Sequence, residues 1–166
     1  MTKQLNKKGT SLVELIAVIV IMGIIAGIAI PTTIAVINRQ KKNAAEKSVG
    51  SVISTLKNLI LEVQADADKT GQVYISATYN GVATPNAFTC LDGTSTSTDT
   101  ISGYAASDMT VDSFTGSGSV TGQLAADGTI TYGGTITVNG YSVAIATDGK
   151  CTATKTNSSS GTATTA

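Results

Sequence analysis

Glu14 is the only ionisable side chain in residues 9–38, and the 24 residues after it carry no charge. A carboxylate inside such an apolar stretch costs about 2.5–3.5 kcal/mol at the centre of a bilayer, so it is expected to have a partner and a function. No basic side chain follows within two helical turns. Cleavage of the chain after Gly9 would create a cation, the α-amino group of Thr10, four residues before Glu14. The spacing therefore predicts an ion pair at a processed N-terminus.

Other chemistry is restricted by composition. The chain has no His and two Cys, which excludes catalytic triads with an imidazole base and Cys/His metal clusters. The remaining candidates for an external enzyme are four acids that stand beside Gly or in Ser/Thr-rich turns: Asp108, Asp112, Asp127 and Asp148. Turn formation accounts for acids in such places, so we expect no enzymatic activity and no cofactor.

The charges are unevenly distributed. Residues 1–69 hold nine Lys/Arg and five Asp/Glu, whereas residues 70–166 hold two and six. An acidic second half lacks the clustered basic residues that nucleic acid requires, so no direct nucleic-acid binding is predicted.

The first half of the chain indicates a long helix. Residues 1–9 are polar and basic, as in a leader peptide, and residues 10–38 are apolar enough to predict a helix that spans a membrane or is buried among other chains. Residues 39–70 continue as an amphipathic helix ending near residue 69, because the apolar residues recur at i, i+3, i+4 and i+7. The predicted stripe consists of Ala45, Val49, Val52, Ile53, Leu56, Leu59, Ile60, Val63 and Ala67.

From residue 71 the apolar period changes to two, which predicts a β-sheet head over residues 71–156. Asn139-Gly140 and Asp148-Gly149 are signals for two-residue hairpins, and a meander follows in which Val138 faces Tyr141. A strand at 129–132 precedes it, and 73–79 is a weaker candidate. Residues 92–119 predict a long surface loop, and residues 157–166 a disordered tail. The fold class is therefore α+β, with the helix on an antiparallel sheet.

The N-terminal junction resembles the class III signal peptide of type IV pilins and related pseudopilins. The matching residues are Lys7-Lys8-Gly9, then Thr10-Ser11-Leu12-Val13-Glu14, and Pro31 further along. The resemblance implies cleavage after Gly9 by a membrane prepilin peptidase that also methylates the new N-terminal Thr10. It implies that Glu14 pairs with an N-terminal amine during filament assembly, and that Gly23, Gly27 and Pro31 loosen the helix in the filament. Thr10 departs from the Phe that the family most often has there.

The implied function is that of a structural subunit of an extracellular type IV pilus that serves adhesion, twitching motility or DNA uptake. Its implied partners are other copies of the chain in a helical filament, the peptidase, an assembly ATPase and a platform protein. Before assembly the subunit would reside in the cytoplasmic membrane, with its head outside. The alternatives are a pseudopilin of type II secretion or competence, and a membrane-anchored or secreted surface binding module whose leader is uncleaved or is cut by an ordinary signal peptidase.

Cys90 and Cys151 would then lie on the external side, where two cysteines suit one bridge. We therefore expect a Cys90–Cys151 disulfide. A strict two-residue turn at Asp148-Gly149 would place Cys151 opposite Ala146, whereas a bulge would shift this register.

Overall fold

The computed structural model of the protein describes residues 11–66 and 71–156, and of residues 28–32 it describes the backbone alone. The predicted leader 1–9, Thr10 and the predicted tail 157–166 lie outside the described residues. The chain divides into two compact units, residues 1–40 and residues 41–166. The α+β class is confirmed, because one α-helix packs on a six-stranded antiparallel sheet in the second unit.

The helix, α1, spans Leu12–Ala65. It ends before the predicted residue 69, and residues 67–70, which include the predicted stripe residue Ala67, are outside the described part. Within the part of the chain that the structure describes, no helix is both long enough and apolar enough to cross a membrane. The transmembrane character predicted for residues 10–38 is therefore not confirmed.

The amphipathic half of α1 carries the predicted stripe. All eight of its described members are buried, with Ile53 the most exposed at 8%. The polar residues between them, Lys47, Lys57 and Glu62, are exposed. The 3.6-residue period thus selects the face that meets the sheet.

The sheet is formed by six strands in the order β2-β1-β3-β4-β5-β6. The strands are β1 Val73–Asn80, β2 Ala87–Asp92, β3 Ser117–Leu124, β4 Ile130–Val138, β5 Tyr141–Ile145 and β6 Cys151–Lys155. The weaker candidate at 73–79 is confirmed as β1, and the predicted strands at 129–132 and in the meander join into one strand, β4. The strands β2 and β3 were not predicted.

The two predicted hairpins differ in geometry. At Asn139-Gly140 both residues have positive φ, 51° and 78°, and Val138 pairs with Tyr141 as predicted for a two-residue turn. At Asp148-Gly149 the Ala146 N–H donates to the Lys150 carbonyl at 2.9 Å, and Gly149 has φ of 83°. This is a longer loop, so Cys151 pairs with Ile145 and not with Ala146. The bulge alternative is the one that forms.

Residues 92–119 differ from the predicted surface loop. Ile101, Met109 and Phe114 are buried in the core, a 3-10 turn spans Ala106–Met109, and the last residues belong to β3. The Tyr79 hydroxyl donates to the Met109 carbonyl at 2.6 Å, and its ring meets Phe114 edge-on at 4.9 Å. Tyr104 and Val111 of the same segment are half-buried and also pack against the core. These apolar anchors fix a segment that is otherwise mostly polar.

Candidate functional site: an exposed apolar helix segment

The first unit contains a helical surface that we call the apolar segment, residues 12–37. Its described large apolar side chains are between 42% and 73% exposed. They are Leu12, Val13, Leu15, Ile16, Val18, Ile19, Val20, Ile21, Met22, Ile24, Ile25, Ile34, Val36 and Ile37. In the rest of the described chain, only Leu61 and Val82 are large apolar residues of comparable exposure.

The apolar segment is apolar on every side of the helix. Residues 18–22 are five consecutive exposed apolar residues, and because each residue turns the helix by about 100°, five of them face all directions. A helix that is apolar all round is normally buried, and contiguous exposed apolar surface of this size marks an interaction site. The arrangement therefore suits contacts with several apolar neighbours at once.

Glu14 lies in the first turn of α1, where it has a local role. The Ser11 backbone N–H donates to Glu14 Oε2 at 3.0 Å, and the Leu15 N–H donates to the Ser11 carbonyl at 3.1 Å. Ser11 thus occupies the N-cap and Glu14 the third helical position, as in one half of a capping box. Sequence reasoning missed this partner, although the Ser-x-x-Glu spacing is its signal. The predicted pairing with the Thr10 amine lies outside the described residues.

The three residues predicted to loosen the helix lie within it. The backbone of α1 is helical throughout Gly23, Gly27 and Pro31. A Cβ added at Gly23 or Gly27 would meet nothing within 4 Å, so neither glycine is required by packing in the single chain. Their loosening in an assembled filament stays a prediction.

The predicted Cys90–Cys151 disulfide is wrong for this fold. Both residues are thiols, with Cys90 on β2 and Cys151 on β6, the two edge strands of the sheet. Five inter-strand steps of about 4.8 Å separate them, whereas a disulfide requires Cα atoms within about 7 Å. Burial, and secondarily the charge of Glu46, raise the pKa of the Cys151 thiol.

Most of the acids considered for catalysis have turn roles. Asp108, Asp127 and Asp148 each accept a backbone N–H two or three residues away, at 2.8–2.9 Å. The hydrogen bonds from Thr129 hold the pKa of the exposed Asp127 carboxyl below its usual range. Asp112 lines a cavity of about 160 Å³ together with Ser48, Ser51 and Phe114. Among the described residues, no three Cys or acidic side chains gather as a metal site would require.

A side chain of α1 covers part of the sheet edge formed by β6. Glu46 Oε1 accepts the Ala153 backbone N–H of β6 at 2.9 Å, and Lys42 Nζ lies 3.8 Å from the same oxygen. An edge strand exposes N–H groups that other chains could pair with, and this carboxylate covers one of them.

The chain matches no protein-family profile, and it shows no significant similarity to curated proteins or to solved structures.

Proposed function

We propose that the protein is a structural subunit that polymerises into an extracellular filament of the type IV pilus kind. The observation that carries this proposal is the apolar segment, which is exposed on all sides and contains Glu14 as its single charge. In a filament, the apolar segments of neighbouring subunits would pack together and exclude water from one another.

The energetics support such packing. Full burial of a Val, Leu or Ile side chain stabilises by about 1.5–3 kcal/mol, and residues 12–37 include 14 large apolar side chains that are at least 42% exposed. Gains from several neighbours would exceed the entropic cost of ordering each added subunit. The heads, residues 71–156, would then form the outer surface of the filament.

Glu14 would guide the docking of each new subunit. Its carboxylate is held at the first helical turn by the Ser11 N–H, four residues from Thr10. Removal of residues 1–9 by a prepilin peptidase would place the α-amino group of Thr10 beside a neighbouring Glu14, so that neither charge enters the apolar core unpaired. An assembly ATPase and a platform protein at the cytoplasmic membrane would drive this step, and adhesion, motility or DNA uptake would be the task of the filament.

The test is an intact-mass and N-terminal peptide analysis of protein sheared from the native cell surface. The proposal requires a chain that begins at N-methylated Thr10. A Glu14→Ala variant should be cleaved in the same way but should not be found in the sheared fraction. A surface chain that retains residues 1–9, or that is cut beyond Ala29, would contradict the proposal and favour an anchored or secreted binding module.

A further inference from the structure

A cavity of about 160 Å³ lies between α1 and the segment that follows the 3-10 turn. Ser48 and Ser51 of α1 line it together with residues 111–114. All of these residues belong to the second compact unit, residues 41–166. The volume equals that of about five water molecules in the liquid, which is enough for the charged end of a long side chain.

The cavity is lined by polar side chains that make no bond within the fold. In residues 11–66 and 71–156, the side chains of Ser48, Asp112 and Ser113 have no hydrogen-bond or ion-pair partner. Asp112 differs in this from the other three acids considered for catalysis, each of which accepts a backbone N–H of its own turn. A carboxylate and two hydroxyl groups are therefore available to a ligand.

Ser113 has a backbone conformation that glycine adopts more easily. The Phe114 N–H donates to the Val111 carbonyl at 3.1 Å, and within this turn Ser113 has a φ of 61°. A positive φ at this turn position favours Gly, and a side chain there strains the backbone. A strained residue whose hydroxyl lines a cavity and has no partner indicates that the hydroxyl has a use outside the fold of the single chain.

The lining has the chemistry of a site for an ammonium group. It contains the Asp112 carboxylate and three serine hydroxyls but no Lys or Arg. A calcium ion takes about six to eight oxygen ligands, typically with several carboxylates, and this lining offers one carboxylate. A lysine ammonium group has three N–H donors, which matches the three side chains without partners.

The helix α1 has a lysine that suits this site in a second copy of the chain. Lys41 is exposed, and no Asp or Glu lies within four residues of it on either side, whereas Lys42 is 3.8 Å from Glu46. Lys41 precedes Ser48 by about 10 Å along the helix axis and Ser51 by about 15 Å. A second copy with a parallel helix, displaced by about 10–15 Å, therefore brings its own Lys41 level with the cavity of the first.

We propose that this cavity binds the Lys41 side chain of a neighbouring copy of the chain. The inference rests on the proposed function, because it describes a contact between successive subunits of the filament. The ammonium group donates to the Asp112 carboxylate and to the hydroxyl groups of Ser48 and Ser113. This contact fixes the displacement of each subunit along the filament, which apolar packing does not determine because it is non-directional.

The test measures the yield of sheared filaments from cells that express the chain together with the processing and assembly machinery. Asp112→Lys brings two cations together, and Lys41→Asp brings two carboxylates together, so each should lower the yield about tenfold. The double variant Asp112→Lys/Lys41→Asp restores a pair of opposite charges and should recover most of the yield.

The matched control is Asp99→Lys, which makes the same change of charge at another exposed acid of residues 92–119. It should assemble like the original chain, and it should not rescue Lys41→Asp. Circular dichroism should show every variant folded. The proposal is overturned if Asp112→Lys assembles as well as Asp99→Lys, or if the double variant Asp112→Lys/Lys41→Asp assembles no better than Asp112→Lys alone.

The original chain distinguishes failure of this contact from failure of the proposed function. If the original chain forms no filaments under these conditions, both proposals are overturned. If it forms filaments whose yield does not fall when Asp112 is reversed in charge, only the contact through the cavity is overturned.

Discussion

At the scale of single residues, burial controls the chemistry of Tyr79. Its hydroxyl is buried and donates to the Met109 carbonyl. Burial raises the pKa of Tyr79 to about 12 from 10.0. The folded chain therefore keeps this proton where the unfolded chain has lost it. The stability that Tyr79 contributes is complete below pH 10 and is lost as the pH rises towards 12.

The change Tyr79→Phe tests this directly. It leaves the Met109 carbonyl without its donor, so the free energy of unfolding at pH 7 should fall by about 1 kcal/mol. The decline of stability between pH 10 and pH 12 should become shallower. Urea titrations across this pH range measure both effects, with Tyr74→Phe, at a half-buried position of the same strand, as the control. An unchanged alkaline decline would contradict the assignment to Tyr79.

Gly134 is a residue whose backbone leaves no room for a side chain. Its φ is 117°, and an added Cβ would stand 2.2 Å from the Ser119 carbonyl oxygen across the β3–β4 ladder. Gly134→Ala should therefore lower the free energy of unfolding by at least about 2–3 kcal/mol.

The change Gly128→Ala is the control for Gly134→Ala. It measures the cost of a left-handed backbone conformation without a steric collision. Gly128 also has a positive φ of 84°, but an added Cβ there would meet nothing within 4 Å. Its cost should be about 1–2 kcal/mol, the price of the left-handed conformation alone. Equal urea midpoints for the two variants would show that the close approach of Ser119 is relieved by movement of the strand.

At the scale of elements, α1 holds the last strand of the sheet through Glu46. The change Glu46→Ala removes the acceptor of the Ala153 N–H and should lower the free energy of unfolding by about 1–2 kcal/mol. Hydrogen exchange at Ala153 should accelerate more than at the paired residue Val143. The control is Glu62→Ala, at an exposed position of the same helix. Unaltered exchange at Ala153 would show that the edge is protected by something other than Glu46.

The sheet order also makes a prediction about the cysteines. Because Cys90 and Cys151 occupy opposite edges, each chain should be alkylated twice when it is unfolded without reductant. Mass spectrometry of the alkylated chain measures this. A chain that is two hydrogens lighter and takes up no alkylating agent would contain a Cys90–Cys151 disulfide. That result would contradict the sheet order, which places the two cysteines at opposite edges.

The elements differ in how far the sequence predicts them, for physical reasons. The stripe from Ala45 to Val63 was predicted residue by residue, because one face of that helix is buried and the period is unbroken. Strand β3 was missed because Gly118 and Gly122 take two of its inward positions, where apolar residues would have shown the alternation. Gly122 is small because Leu56 and Ile60 occupy the space that its side chain would fill. Such a fit depends on tertiary packing, which local patterns do not contain.

The residues proposed for function also differ in how far the sequence predicts them. The apolar segment and Glu14 follow from hydropathy and charge alone. The Cys90–Cys151 pairing failed because cysteine count and compartment say nothing about which strands form the edges of a sheet. Strand order depends on contacts between distant parts of the chain.

At the scale of the whole molecule, the central claim is that the chain polymerises through the apolar segment. Val20 in that segment and Val82 in the head are both 54% exposed, so they form a matched pair. Val20→Lys would place a charge in the core of the filament at a cost of several kcal/mol, whereas Val82→Lys would place it in water.

The measurement is electron microscopy, with quantification of pelleted filaments, from cells that express each variant together with the processing and assembly machinery. The account predicts filaments for the original chain and for Val82→Lys, and none for Val20→Lys, with residues 1–9 removed in all three. Normal filaments from Val20→Lys would contradict the claim that the apolar segment forms the filament core.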